Sequence, residues 1–399
     1  MTILYTVSKN ERYLLIGITI SILGTSLFEI FTKWEILDKT NSPELFGLLG
    51  SLISISLLIA NFIGGLIADK FKRRDVLVCT ELLVTISSLL AIISIIFYPS
   101  NQVSIAVVVS LVIPFFTSIY SITSKAAIPL YVSDERIEKY NSLQVATIDT
   151  MRVLGPLIMI LLVMLHINYI VILGLNILSS LVNIFFIKRI TTIDNFIDQK
   201  SNEKIRGNIL VGFKYVVSNR QFFKLLISAT FLNFFLSGFE IYVQVISKLV
   251  YNSSFIFIMA TIIMSISTIL AGLLMQVNNE KIVGILNEIT LKNIVLFQTL
   301  LFALFIFTFK NMICIYIYIG VNAFLEVLFS VKFYTYIQRN VSKDKIGRVF
   351  SIVYLFAAGI IPFSNALFGF VIGKNLILAP IIIFIGVLAS YIITPKSQT

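Results

Sequence analysis

The chain has 399 residues, 58% of them hydrophobic and only 13% charged, with a mean hydropathy of +0.97. Soluble domains carry about 25% charged residues, so this composition excludes a water-soluble globular protein and places the chain in a lipid bilayer. The net charge of +11 does not mark a nucleic-acid partner either, because no polar stretch is long enough to form a basic soluble domain.

A membrane-spanning helix needs about 20 mostly apolar residues. In chain order, spans are expected near 13–36, 44–67, 76–97, 104–124, 142–164 and 168–187. After a polar stretch they resume near 222–246, 254–276, 293–309, 311–331, 349–371 and 376–394. The apolar run from Tyr13 to Leu37 is too long for a signal-peptide core of about 7–15 residues, so it reads as a span that stays. Lys310 and Asn311 alone separate the ninth span from the tenth. The expected architecture is an all-α membrane protein with 12 transmembrane helices in two six-helix bundles, residues 1–187 and 222–399, joined by a linker at 188–221.

Cytoplasmic loops carry the excess of Lys and Arg. With the N-terminus inside, the outer loops hold only Lys33, Lys39, Lys248, Lys310 and Lys374. Arg152 lies within a span, and every other basic residue falls on the cytoplasmic side. Both termini are therefore expected to be cytoplasmic. The two halves also echo each other faintly: Glu29 in the first helix has a counterpart, displaced by about one turn, in Glu240 of the seventh.

The stretch "GGLIADKFKRRD" (64–75) falls between the second and third spans. Its pattern, Gly65 to Asp69 and Lys70 followed by Lys72, Arg73 and Arg74, resembles the signature loop of the major facilitator superfamily, Gly-x-x-x-Asp-Arg-x-Gly-Arg-Arg/Lys. Within that superfamily the chain is most similar to the bacterial branch of macrolide-efflux and enterobactin-export proteins. "SLFEIFTKWEILDKTNSPELFGL", "IPLYVSDERIEKYNSLQ" and "YIQRNVSKDKIGRVFS" carry that resemblance, and Gln338, Gly347 and Arg348 lie in the last of them.

The resemblance implies that Asp69 and Arg73 latch the two halves in an outward-open state, while Lys70 and Arg74 hold the loop at the cytoplasmic surface. Gly65 is expected to permit close helix packing. The sequence departs from the family pattern in places. Lys72 stands where glycine is usual, and Gln276 stands where the C-terminal half would offer a second aspartate. Of the fifth-helix exporter motif only Gly155 and Pro156 remain.

Ionisable residues within spans are functional candidates, because each costs about 2.5–3.5 kcal/mol on insertion scales. Asp149 and Arg152 are three apart and share a helix face, so either a structural ion pair or a role in substrate or proton handling fits. Glu29 and Glu240 fall in helices that line the central cavity in the resembled family; they suit proton exchange, attraction of a cation, or simple contact with interfacial water. Glu326 lies one to two turns from the cytoplasmic end of the tenth helix. Glu81 reads as an interfacial charge, the lone His166 as a polar loop residue and Trp34 as an interfacial anchor. Cys79 and Cys314 read as packing residues, with no disulfide or metal expected.

The resemblance implies a bacterial plasma-membrane transporter, monomeric, that exports a hydrophobic or amphiphilic small molecule by alternating access. Protons would supply the energy, with no cofactor and no nucleic-acid partner. No phosphate-binding Gly-x-x-x-x-Gly-Lys-Ser/Thr loop occurs, which argues against direct ATP hydrolysis. Too few metal ligands or nucleophile–base pairs are present for a membrane-embedded enzyme. An importer of a nutrient or siderophore, or a non-transporting sensor or immunity protein, are the rival expectations.

Overall fold

A computed structural model describes residues 9–132, 137–190, 213, 216–275, 288–309, 311–341 and 346–396. No strand occurs among them. The helices are α1 (Lys9–Thr40), α2 (Pro43–Lys70), α3 (Arg73–Phe97), α4 (Gln102–Tyr131), α5 (Ile137–Met164) and α6 (Tyr169–Lys188). They continue with α7 (Arg220–Leu249), α8 (Ser254–Leu274), α9 (Leu291–Thr308), α10 (Met312–Asn340), α11 (Ile346–Gly359), α12 (Ile361–Lys374) and α13 (Leu378–Ile393). Among the described residues, eleven helical segments are long and apolar enough to cross a membrane, and α13 adds a 16-residue apolar helix. The eleventh crossing is broken: α11 ends at Gly359 and α12 restarts with Pro362 in its first turn, where the missing proline N–H has no helical partner to lose.

Short polar residues set several helix starts. The side chain of Asn168 accepts from Val171 N, Asn219 from Phe222 N, Thr290 from Asn293 N, and Asn311 from Ile313 and Cys314 N. Each satisfies backbone donors that the helix itself leaves unpaired.

The chain divides into two compact units. Unit 1 comprises Met1–Asn41, Leu52–Gln199 and Asn252–Ile262. In it α1 packs on α4, α5 and α6, and α3 packs on α4 and α6. Little hydrophobic force brings helices together in lipid, so close backbone approach and polar contacts matter more. Gly17 and Gly24, on one face of α1, leave room for Asn183 and Ser179 of α6. Ser118 donates to Asn61 Oδ1 at 2.8 Å, tying α4 to α2. Leu14, Ile18, Leu77, Tyr120, Ile128 and Ile187 form part of a common buried core. The opposite side of α3 exposes Leu82, Ile86, Leu89, Leu90 and Ile93, an apolar stripe that only lipid can cover without penalty. Trp34 lies 5.7 Å from Phe257, centroid to centroid, so the residue expected as an interfacial anchor packs on an aromatic neighbour of its own unit.

Unit 2 comprises Ser42–Ser51, Lys200–Tyr251 and Ile263–Thr399. Here α7 packs on α11, α12 and α13, and α9 packs on α10 and α13. Its core is aromatic. Phe239 meets Phe302 and Phe305 edge-on at 5.0 and 5.3 Å, and Phe305 meets Tyr318 at 4.9 Å; such pairs contribute about 0.5–1.5 kcal/mol beyond area burial. Within the same unit, the first turns of α2 lie against α12. A Cβ on Gly369 would stand 2.7 Å from Gly47 Cα, and Ser51 Oγ donates to Pro362 O at 2.6 Å.

Candidate functional site

Unit 2 contains a cavity of about 200 Å³. Helices α7, α9, α10 and α11 shape it. Its aromatic wall includes Phe329, Phe333, Tyr334 and Tyr354, and its polar groups include Asn233, Gln298 and Glu326. The wall is apolar because α10 repeats large side chains at helical spacing, with Phe329 and Phe333 stacked at 5.9 Å. Glu326 lies one turn before Phe333's stacking partner and is half-buried. Glu240 of α7 is exposed and within electrostatic reach of Glu326.

Gln298 adds a feature of different character. It is fully buried, and its Nε2 donates to Asn322 Oδ1 at 3.3 Å. Its Oε1 has no donor among the described residues. Buried polar groups are nearly always hydrogen-bonded, and an unmet one costs about 1–3 kcal/mol. The cavity thus combines stacking surfaces with an acidic group, which suits an amphiphile carrying a donor or a positive charge.

The remaining predicted residues are dispersed. Asp149 and Arg152 do meet, with Nη1 3.3 Å from Oδ1, and their side chains are 36% and 67% exposed. Glu29 is half-buried on α1, with Lys33 one turn on and in electrostatic reach. Gly155 faces Ser26, so α5 approaches α1 at a point where a side chain would collide; Pro156 follows within α5. Gln338 is exposed near the end of α10. Gly347 and Arg348 belong to α11, but their side chains lie outside the described residues, as do Gln276 and most of the linker at 188–221.

Arg73 donates to Ala126 O at 2.6 Å, and Arg74 donates to Lys188 O at 2.5 Å. Both arginines thereby fasten the start of α3 to the ends of α4 and α6 within unit 1. Lys70 is exposed, over the ring of Phe71. The side chain of Asp69 lies outside the described residues. The expected packing role of Gly65 is not what the structure has. A Cβ there meets nothing within 4 Å, whereas at Gly64 it would come within 3.3 Å of Ile119 Cα. The contact falls one residue earlier because Gly64 is the one that faces α4.

Glu81 also differs from expectation. It is 3% exposed rather than interfacial. The helix begins earlier than its apolar run suggests, at Arg73, and α1 and α6 cover this face of α3. Sequence reasoning passed over its partners Ser21 and Asn183, and also Gln298 and Asn322. The readable signal was Asn176, Ser179, Ser180 and Asn183, polar residues on one face of an otherwise apolar helix.

Comparison with known proteins adds the remaining information. Residues 14–365 match the family model described as Major Facilitator Superfamily. No curated protein matches the chain in sequence. Among solved structures, a bacterial homologue of the iron transporter ferroportin in an inward-facing state is similar with a TM-score of 0.70 at 14% identity, covering 98% of each chain. A D-xylose–proton symporter gives 0.68 at 14% identity, covering 97% of this chain and 98% of its own. The nucleoside transporter NupG gives 0.66 at 15% identity, covering 95% and 97%. Identities this low speak for the fold alone, but the family match spans most of the sequence and agrees with the helices it covers. The chain belongs to the major facilitator superfamily of membrane transporters.

Proposed function

We propose that this transporter is a proton-driven exporter of a hydrophobic or amphiphilic small molecule, a drug, antibiotic or secondary metabolite, in the plasma membrane of a bacterium. The observation that carries the reading is the cavity of unit 2, which Phe329, Phe333, Tyr334 and Tyr354 line together with Glu326. Aromatic faces take up an apolar body, and the carboxylate orients a donor or cationic end. Glu326 is the cavity's acidic residue and thus the group that a proton and a cationic substrate would both seek. Competition for one carboxylate is a sufficient basis for antiport, since either ligand displaces the other.

Alternating access follows from the family, with two six-helix halves rocking and both termini cytoplasmic. The distribution of Lys and Arg supports that orientation. Asp69 and Arg73 are proposed to steady one state of the cycle, and Asp149, Arg152, Glu29 and Glu240 to contribute charge along the pathway. A charged pair as exposed as Asp149 and Arg152 within a spanning helix favours a watery surface over lipid. The protein is taken to work as a monomer without a cofactor.

The test is accumulation of hydrophobic cations and neutral drugs in cells with and without the protein, each with and without a protonophore. Export predicts lower accumulation that the protonophore restores. Equal accumulation in every arm would remove the export reading. Raised uptake would instead support import.

A further inference from the structure

Glu81 belongs to unit 1 and takes no part in the cavity of unit 2. It stands eight residues past the start of α3, about 12 Å along the helix at 1.5 Å per residue. That depth lies within the span rather than at its edge. Its Oε1 accepts from Ser21 Oγ of α1 at 2.7 Å and from Asn183 Nδ2 of α6 at 2.7 Å. Ser180 of α6 is a third partner. From α4 the phenol of Tyr120 donates to Asn183 Oδ1 at 3.4 Å.

Every one of these partners is neutral, and no ion pair to Glu81 occurs among the described residues. A cation would fix the carboxylate in its charged form. Neutral donors do not, because the cost of a buried charge and the return from a few hydrogen bonds are both several kcal/mol. Serine hydroxyls can turn to accept as well as donate, so the same cage holds a carboxylate or a carboxylic acid without rearranging its helices. A purely structural polar pin has no need of an acid; glutamine would have the same shape and no charge to bury.

Other titratable groups lie around the cage. Tyr120 faces Glu81 from α4, Tyr140 of α5 is within electrostatic reach of Tyr120, and Glu11 at the start of α1 is within reach of Tyr140. On α6 the facing groups, Ser180 and Asn183, do not titrate, and on α1 the facing group is Ser21.

We infer that Glu81, caged by Ser21, Ser180 and Asn183, is a proton-binding site of unit 1. The inference stands apart from the export reading, since such a site serves any proton-linked cycle in either direction.

Infrared difference spectroscopy of the purified, full-length protein, comparing acid with alkaline buffer, tests it directly. The wild type is expected to gain a carboxylic-acid C=O band on acidification that is lost in Glu81→Gln, its intensity titrating about tenfold in protonation ratio per pH unit. An acid-minus-alkaline spectrum unchanged by Glu81→Gln would overturn the proposal. Should that variant fail to fold, Ser21→Ala takes its place: losing one hydrogen bond to Oε1 must shift the band, and an unshifted band overturns the proposal equally. Transport is not read in this experiment, so its outcome is independent of the accumulation test.

Discussion

Asn183 donates to Glu81 at 2.7 Å across 102 residues of sequence, joining α6 to α3 inside unit 1. Neither side chain has water to fall back on, since Asn183 is fully buried and Glu81 is 3% exposed. Removing either partner takes one buried hydrogen bond from the other. Glu81→Leu and Asn183→Leu are each expected to cost about 1–3 kcal/mol. The double variant should cost less than the two together, because the bond between the two residues is lost in each single variant and only once in the double. Thermal unfolding of the four proteins in detergent measures this; strict additivity would show that the bond contributes nothing.

Arg73 should behave as a fastener rather than as a loop charge. Its bond to Ala126 O at 2.6 Å links α3 to α4, and a charged donor of this kind contributes about 1.5–3 kcal/mol. Arg73→Gln is expected to lower the unfolding temperature measurably, while Lys70→Gln, at an exposed position, is expected to leave it unchanged. Equal effects would reduce the loop to a set of interchangeable basic charges.

Glu326→Gln separates binding from coupling. The amide keeps the size and polarity of the side chain but cannot take up a proton. Substrate-stimulated proton movement in proteoliposomes should therefore be lost, with ligand binding to the aromatic wall retained for neutral compounds. Full proton coupling in Glu326→Gln would exclude this carboxylate as the shared group.

The approach of Gly47 to Gly369 leaves no volume for a side chain. A Cβ on Gly369 also stands 2.7 Å from Pro43 O, a backbone atom that cannot rotate away. Gly369→Leu is expected to destabilise the protein by about 1–3 kcal/mol or to push α2 and α12 apart. Thermal unfolding of wild type, Gly369→Ala and Gly369→Leu in detergent measures this; wild-type stability in Gly369→Leu would contradict the contact.

Arg152 and Asp149 make a contrasting case. The pair is largely exposed, and exposed pairs contribute about 0–1 kcal/mol. Arg152→Gln should leave stability almost unaltered. Arg152→Cys should react quickly with a water-soluble thiol reagent, whereas Leu161→Cys, an exposed apolar position on the same helix, should react slowly. Equal reactivity would deny that the two positions face different solvents.

The sequence by itself determined the class of protein. Apolar length fixed the crossings, because a bilayer accepts only backbone that satisfies its own hydrogen bonds, and the expected spans coincide with the helices to within a few residues at most ends. The loop around Asp69 and the family it resembles were equally readable, since both are local patterns. Helix ends were less so: α10 continues to Asn340 and α4 to Tyr131, past the apolar runs, because polar residues extend a helix once it has left the lipid. What tertiary structure alone decided was which polar groups meet. Nothing local tells that Gly64 rather than Gly65 faces α4, or that Glu81 sits beneath Ser21 and Asn183 instead of at the surface. Those outcomes depend on the rotation of each helix about its axis, and packing against neighbours distant in sequence sets that rotation.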